Sequence, residues 1–168
     1  MKINVNQVRQ TVGERQSFHF VQPAAKFADG SDQLWLDGQL EVVGEVVNTG
    51  QHLLVEGQVT GTAHADCHRC LREFRNPVTI PFAETFRPEP TPDSKSEGEE
   101  AIFFSGDEID LTDLIRETVF LAEPIKMLCS EACKGLCREC GVDLNQVSCG
   151  CNSDSLDPRL EVLKNLLK

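Results

Sequence analysis

Eight cysteines occur in close pairs whose spacing is typical of zinc ligands. Tetrahedral zinc takes four thiolates, each about 2.3 Å from the ion. A gap of two residues lets both sulfurs of a tight turn face one ion, and a following glycine, such as Gly141, can adopt the left-handed backbone that this turn often needs. The sequence therefore predicts zinc binding by four pairs: Cys67 and Cys70, Cys129 and Cys133, Cys137 and Cys140, Cys149 and Cys151.

Two zinc sites are the first way to divide these ligands. We expect one site on Cys137, Cys140, Cys149 and Cys151, and the other on Cys67, Cys70, Cys129 and Cys133. Cys129 and Cys133 stand at i and i+4, so a helical turn would put both sulfurs on one face. The competing partition leaves Cys67 and Cys70 free and gives one zinc to a subset of Cys129, Cys133, Cys137 and Cys140.

Disulfides are the main alternative for clustered cysteines, and they belong to oxidising compartments. Residues 1–16 are polar and contain no apolar segment of a secretory signal. No stretch approaches the roughly 20 apolar residues of a membrane span. We therefore expect a cytoplasmic protein without a membrane partner, in which a reducing environment favours metal over disulfides.

Catalysis has little support among the remaining residues. A redox dithiol of the thioredoxin type begins a helix in a βαβ unit, whereas Cys67 and Cys70 follow a predicted strand. The chain has four histidines but no zinc-protease, nucleophile-elbow or phosphate-loop motif. Because sites made only of cysteine are usually closed and structural, we expect no catalytic residues and no enzymatic activity.

The charge distribution argues against non-specific RNA binding. The net charge is −11, and residues 87–123 contribute three basic and eleven acidic side chains, a net of −8. Basic side chains nevertheless flank the cysteine pairs. The candidate contacts for RNA or a protein partner are Arg69, Arg72, Arg75, Lys134 and Arg138. An equally good interpretation is that these cations offset the charge of the thiolates.

Alternating apolar residues around a turn signal at Asn48-Thr49-Gly50 predict a long hairpin from two runs, 34–42 and 53–65. The first run places Leu36 on the apolar face and Trp35 on the polar face. Further strands are predicted at 17–21, 78–86 and 101–104. The fold class is then α+β: an antiparallel β-sheet or partly closed barrel, one or two packing helices, and a C-terminal zinc-binding, cysteine-rich segment.

Two regions follow from this pattern. Residues 1–124 form a mainly antiparallel sheet domain with a mobile acidic loop at 87–100, and residues 125–168 form the cysteine-rich zinc segment and a C-terminal helix. Short helices are predicted at Val5–Val12 and after Asp110, which is expected to cap its helix. The C-terminal helix is predicted to start at Asp157-Pro158 and to carry one face of leucines.

Several phrases together resemble one protein family. They are Asp66-Cys67-His68-Arg69-Cys70-Leu71, Ile109-Asp110-Leu111 with Ile115-Arg116-Glu117, Leu121-Ala122-Glu123-Pro124, Cys133-Lys134-Gly135-Leu136-Cys137 with Cys140-Gly141, Leu144-Asn145, Cys149-Gly150-Cys151 and Asp157-Pro158-Arg159-Leu160. The sequence is thereby similar to the YceD family of large ribosomal RNA subunit accumulation proteins. The resemblance covers nearly the whole chain.

This resemblance implies a non-catalytic role in large ribosomal subunit biogenesis, in bacteria and plastids. The acidic charge favours a basic ribosomal protein or an assembly factor as the partner, and ribosomal RNA is the second choice. The alternative is a zinc- or redox-responsive regulatory protein.

Overall fold

The computed structural model describes residues 1–28, 34–89 and 102–151 of the chain. The elements, in chain order, are β1 (Lys2–Asn4), α1 (Asn6–Gln10), β2 (Arg15–Pro23), a 3-10 helix (Ala24–Phe27), β3 (Leu36–Asn48), β4 (Leu53–Asp66), β5 (Glu73–Pro88), β6 (Ile102–Phe104), β7 (Glu108–Asp110) and α2 (Thr112–Leu121).

The chain divides into two compact units. The sheet unit comprises Met1–Ala65 and Phe74–Ile125. The cysteine unit comprises Asp66–Glu73 and Lys126–Lys168, and it is described as far as Cys151. The cysteine unit is therefore discontinuous in sequence, because its first segment comes from the connection between β4 and β5.

The sheet unit contains a five-stranded sheet in the order β2-β3-β4-β5-β6 and a two-stranded sheet of β1 and β7. β2, β3 and β4 run antiparallel, but β5 and β6 are parallel, so the prediction of an antiparallel sheet is wrong at this edge. A parallel neighbour needs a connection of about a dozen residues, and residues 89–101 separate these two strands. Within the described ranges, no pairing joins β2 to β6 to close a barrel.

Two predicted segments fall partly or wholly outside the described residues. Arg87 and Pro88 were expected to open the acidic loop, but they end β5 because the strand continues to pair there with β6. Residues 90–100 of that loop and the helix predicted from Asp157 lie outside the described ranges.

The predicted hairpin is β3 and β4, and its apolar face forms the core. Val42 pairs with Val59 and Val46 pairs with Val55, and all four side chains are fully buried. This alternation is the period of two that the sequence predicts, because successive side chains of a strand point to opposite faces.

A pair of facing glycines lets aromatic rings lie on the hairpin backbone. Gly44 stands opposite Gly57 in the register of β3 and β4. A Cβ added at Gly44 would lie 2.6 Å from Cζ of Phe18, and one added at Gly57 would lie 2.9 Å from Cζ of Phe82. The absence of side chains at these two positions therefore makes room for the two phenyl rings.

Trp35 ties α2 to the strands. The sequence pattern placed Trp35 on a polar face, but it is buried and its indole Nε1 donates to the backbone oxygen of Val119 at 3.0 Å. The pattern failed because β3 begins only at Leu36 and its register shifts between Asp37 and Glu41, so strict alternation does not extend to Trp35. The bond also satisfies a carbonyl near the C-terminal end of α2.

Asp110 performs the capping chemistry predicted for it, but α2 begins one residue later than expected, so Asp110 stands one position before the N-cap residue. Leu111 is the residue before α2, and Asp110 is the last residue of β7. Its Oδ1 accepts bonds from the backbone N–H of Thr112 at 2.9 Å and from the Thr112 hydroxyl at 2.6 Å. The Met1 amino group also donates to Oδ1, at 3.0 Å. These donors, led by the Thr112 hydroxyl, lower the pKa of Asp110 to about 2.

The other predicted helix of the sheet unit is shorter than expected. α1 spans Asn6–Gln10 rather than Val5–Val12, and it buries Val8. No helix in the part of the chain that the structure describes is long and apolar enough to cross a bilayer.

Replacing Asp110 by alanine should destabilise the sheet unit at neutral pH by about 0.5–2 kcal/mol, the usual effect of losing a helix cap. The folded-state pKa is about 2, below the ordinary 3.8, so the carboxylate's contribution is complete above about pH 4 and is lost as pH falls towards 2. The difference in free energy of unfolding between the two proteins should therefore shrink below about pH 4.

Urea unfolding followed by the fluorescence of Trp35, the one tryptophan of the chain, measures this difference in the sheet unit. Asp113→Ala is the control, because the Asp113 side chain is 83% exposed and pairs with Arg116 at 2.8 Å. A difference that stays constant from pH 7 to pH 3 would contradict this role of the Asp110 carboxylate.

Candidate metal centres

All eight cysteines lie in the cysteine unit, where they form two sets of four. Within each set the sulfurs lie within 4.8 Å of one another. The inner cluster is Cys67, Cys70, Cys129 and Cys133, and the outer cluster is Cys137, Cys140, Cys149 and Cys151. This is the first of the two partitions considered from the sequence. It differs from the alternative in which Cys67 and Cys70 stay free.

The Cys67–Cys70 turn is closed by two backbone hydrogen bonds. The Leu71 N–H donates to the Cys67 oxygen at 2.8 Å, and the Cys67 N–H donates to the Arg72 oxygen at 2.9 Å. Leu71 has φ 57°, the left-handed conformation that a side chain rarely adopts. The result is a tight loop that turns both sulfurs to one side.

The Cys137–Cys140 turn repeats this pattern at equivalent positions. The Gly141 N–H donates to the Cys137 oxygen at 2.9 Å, and the Cys137 N–H donates to the Val142 oxygen at 2.8 Å. Gly141 has φ 73°, as its type and position predict. The two C-x2-C turns are therefore the same local structure, each contributing two sulfurs to its own cluster.

The inner cluster pairs sulfurs from separate stretches of the chain. Cys67 Sγ lies 3.8 Å from Cys133 Sγ, and Cys70 Sγ lies 3.7 Å from Cys129 Sγ. The segment between Cys129 and Cys133 is a turn rather than a helix, with the Cys133 N–H donating to the Ser130 oxygen at 3.0 Å. The helical turn predicted for this segment is therefore absent, but the observed turn also brings the sulfurs of Cys129 and Cys133 into one cluster.

Polar groups approach the sulfurs of the inner cluster. Nδ2 of Asn145 donates to Cys133 Sγ at 3.3 Å, and Nη2 of Arg72 lies 3.8 Å from Cys129 Sγ. Burial opposes ionisation of Cys67, but N–H groups of Cys129, Cys70 and Arg69 outweigh it and lower its pKa to about 6. One sulfur of this cluster is thus already prepared to bind as a thiolate.

The second sulfur of the same turn resists ionisation. The Arg72 N–H favours the Cys70 thiolate, but burial and the neighbouring sulfurs of Cys67, Cys133 and Cys129 outweigh it and raise the pKa of Cys70 to about 12. Two unit charges about 4 Å apart repel by about 4 kcal/mol at an effective dielectric constant of about 20. Four thiolates at these distances therefore need a cation between them, and a thiolate set suits a soft metal ion.

The outer cluster has the same electrostatic arrangement. The N–H groups of Cys140 and Glu139 lead the causes that lower the pKa of Cys137 to about 6. The neighbouring Cys140 sulfur is the main cause that raises the pKa of Cys151 to about 12. Each cluster thus holds at least one sulfur whose pKa is lowered and one whose pKa is raised, and a bound cation would favour loss of the second proton.

Arg69 connects the first cysteine turn to the segment around Cys133. Its Nη1 donates to the backbone oxygens of Glu131 at 3.0 Å and Cys133 at 2.9 Å, while its own backbone oxygen accepts the Leu136 N–H at 3.1 Å. A Cβ at Gly135 would lie 2.9 Å from that same Arg69 oxygen. Gly135 has φ 75°, so both its conformation and its close contact require glycine.

The five basic candidates for partner binding have different surroundings. Arg69 and Arg72 bond within the cysteine unit, as described above. Arg75 lies on β5 in the sheet unit, where its Nη2 is 3.4 Å from Oδ2 of Asp37. Lys134 and Arg138 are exposed next to cluster cysteines.

Sequence reasoning assigned no role to two residues that organise the cysteine unit. Oδ1 of Asn145 accepts the Lys134 N–H at 2.8 Å while its Nδ2 donates to Cys133 Sγ. Oδ1 of Asp143 accepts the Asn145 N–H at 2.9 Å, which helps to lower the pKa of Asp143. Aspartate two residues before asparagine is a turn signal that could have identified this loop, but not its contact with a cluster sulfur.

The sequence model of the YceD family, described as large ribosomal RNA subunit accumulation protein YceD, matches residues 55–167. An uncharacterized protein of Mycobacterium tuberculosis H37Rv is 33% identical over 133 residues, which are 79% of this chain and 61% of the relative. The chain thus matches less than two thirds of that relative's length.

Two further relatives extend the comparison. The uncharacterized protein YlbN of Bacillus subtilis is 31% identical over 111 residues, 66% of this chain and 63% of its own. The chloroplastic large ribosomal RNA subunit accumulation protein YCED homolog 1 of Arabidopsis thaliana is 41% identical over 59 residues, 35% of this chain and 18% of its own. No solved structure matches the chain.

Gly135→Ala should weaken metal retention by the inner cluster. The left-handed backbone costs an alanine about 1–2 kcal/mol, and the new Cβ also presses on the Arg69 carbonyl. A chelator titration should then withdraw half of the metal held by the inner cluster at a chelator concentration roughly tenfold lower than for wild type, since about 1.4 kcal/mol corresponds to tenfold.

Gly150→Ala is the matched control, because a Cβ at Gly150 meets nothing within 4 Å. Equal titration curves for Gly135→Ala and wild type would show that the Arg69–Gly135 contact does not support the cluster.

Proposed function

The chain belongs to the YceD family, and we propose that it is a non-catalytic, zinc-binding factor in the biogenesis of the large ribosomal subunit. The observation that carries this proposal is the family match over residues 55–167, which includes every cysteine of both clusters. The name of the Arabidopsis relative supports a role in accumulating large-subunit ribosomal RNA. The cytoplasm is the expected place of action.

Zinc is the metal that best suits the geometry. Four sulfurs about 2.3 Å from a tetrahedral ion lie about 3.8 Å from one another. The two sulfur–sulfur distances of the inner cluster are 3.8 and 3.7 Å. Tetrahedral sites of four thiolates are characteristic of zinc or of iron–sulfur centres, and C-x2-C turns are common in structural zinc sites.

The ligand count supports a structural rather than catalytic role. Each cluster offers four sulfurs, which complete a tetrahedral zinc site and leave no position for water or substrate. What the cysteines then do is hold the segments 66–73 and 126–151 in one shape. Held in this way, the two segments would form a rigid surface, which suits a protein that acts by binding.

Charge favours a basic partner. The chain carries −11 before metal is counted, and each zinc with four thiolates adds about −2 in place of neutral thiols, which gives roughly −15 for two sites. Such a protein attracts a basic ribosomal protein or a basic assembly factor by electrostatic complementarity. Direct contact with ribosomal RNA through exposed Lys134 and Arg138 is the second candidate.

Deleting the gene in its own host should reduce large-subunit particles relative to small-subunit particles in a sucrose gradient. The full chain supplied from a plasmid should restore the ratio. Normal subunit ratios in the deletion strain would contradict the proposed function.

Complementation with Cys67→Ser tests the contribution of the metal. Cys67 is fully buried in the inner cluster, so the Cys67→Ser protein should fail to restore the subunit ratio. Ser148 is exposed beside the outer cluster, and the control variant Ser148→Ala should restore the ratio. Full restoration by Cys67→Ser, at equal protein levels, would separate the ribosomal role from metal binding.

A further inference from the structure

The two clusters differ sharply in accessibility. Three of the inner cysteines are buried, with exposed fractions of 0% for Cys67, 6% for Cys70 and 5% for Cys133. Cys140 of the outer cluster is exposed, Cys151 is half-buried to exposed, and no cysteine of the inner cluster is exposed. In the part of the chain that the structure describes, a dissolved oxidant or chelator therefore reaches the outer cluster without any opening.

The clusters also differ in what shields their sulfurs. In the inner cluster, the side-chain amide of Asn145 donates a hydrogen bond to Cys133 Sγ, and the guanidinium of Arg72 lies beside Cys129 Sγ. The outer sulfurs of Cys137, Cys149 and Cys151 have contacts with backbone groups and with other cysteines. Because oxidation of cysteine also depends on exposure, the outer cluster is the one that a dissolved oxidant meets first.

We infer that the outer cluster is a site of oxidative modification, at which hydrogen peroxide joins Cys140 and Cys151 in a disulfide and releases the metal ion. The inference rests on the proposed metal binding and deepens it by assigning different roles to the two clusters. The inner cluster keeps its ion and holds the cysteine unit, while the outer cluster responds to oxidant.

The chemistry balances in two steps. The thiolate of one exposed cysteine attacks a peroxide oxygen, the O–O bond breaks, and one proton completes a sulfenic acid and one water. The thiolate of the second cysteine attacks the sulfenic sulfur, the S–O bond breaks, and a second proton converts the departing hydroxide to water. Two sulfurs are oxidised, one peroxide is reduced to two waters, and the remaining thiolates of Cys137 and Cys149 no longer retain the ion.

Cys140 and Cys151 are the favoured pair for geometric reasons as well. All four outer sulfurs lie within 4.8 Å, so any two can meet after a small movement. Cys149 and Cys151 are separated by one residue, and a disulfide between them would close a strained ring. Joining Cys140 to Cys151 instead links the two most exposed sulfurs across the cluster, from separate segments of the chain.

The test exposes the full, zinc-loaded chain to one equivalent of hydrogen peroxide. A colorimetric zinc chelator follows metal release, and alkylation with peptide mass analysis identifies the oxidised cysteines. About one zinc per chain should leave, with a Cys140–Cys151 disulfide, while the inner cysteines stay reduced. Release from the outer cluster should be faster than from the inner cluster, because none of the inner cysteines is exposed. A dithiol reductant with added zinc should restore the two-zinc form.

Each other outcome has a definite meaning. Equal oxidation of both clusters, a different disulfide, or release of zinc without any disulfide would overturn the inference. A purified chain that binds no zinc would instead contradict the proposed metal function, and a normal subunit ratio in the deletion strain would contradict the ribosomal role. The oxidation experiment, the metal content of the purified chain and the subunit ratio therefore test the inference, the metal binding and the ribosomal role separately.

Discussion

Each cysteine cluster could hold a metal ion, and we expect the cysteine unit to depend on the attraction between its thiolates and that cation. Four sulfurs within 4.8 Å repel one another once ionised, by about 4 kcal/mol for each pair at about 4 Å in a medium of effective dielectric constant about 20. Burial of apolar side chains contributes little to the stability of this unit, because the buried apolar residues of the described segment 126–151 are Met127 and cysteines of the clusters. Structural zinc contributes about 10–16 kcal/mol per site in small peptides, which is enough to decide the fold of such a segment.

The sheet unit rests on a different kind of interaction. Valines of β3 and β4 are fully buried in matched pairs, and Trp35 secures α2 through a bond to Val119. This core needs no metal. The connection between β4 and β5 then carries Cys67 and Cys70 into the inner cluster, together with Arg69, whose guanidinium bonds to carbonyls of the segment around Cys133.

The clusters could be expected from sequence because their chemistry is local. A C-x2-C turn places its sulfurs by its own backbone bonds, and Gly141 reveals the left-handed residue that closes the turn. Leu71 takes the same conformation at the equivalent place, and no propensity would have predicted it. The pairing of Cys67 with Cys133 across the chain followed from counting ligands, not from any local signal.

Long-range features were harder to predict. The parallel pairing of β5 with β6 depends on how the chain returns after residue 89, which alternation within each strand does not report. Trp35 resembled a surface residue because the pattern assumed a strand that starts earlier than β3 does. Asn145 could be placed in a turn, but its bond to a sulfur twelve residues away depends on the folded cluster.

Hydrogen exchange of the full chain with and without a strong chelator tests the central account most directly. If metal–thiolate coordination holds the cysteine unit, chelation should remove amide protection in residues 66–73 and 126–151 while the amides of β3 and β4 keep theirs. Unchanged protection after complete metal removal would contradict metal dependence. Simultaneous loss of protection throughout β3, β4 and the cysteine unit would contradict a sheet unit that is stable by its own core.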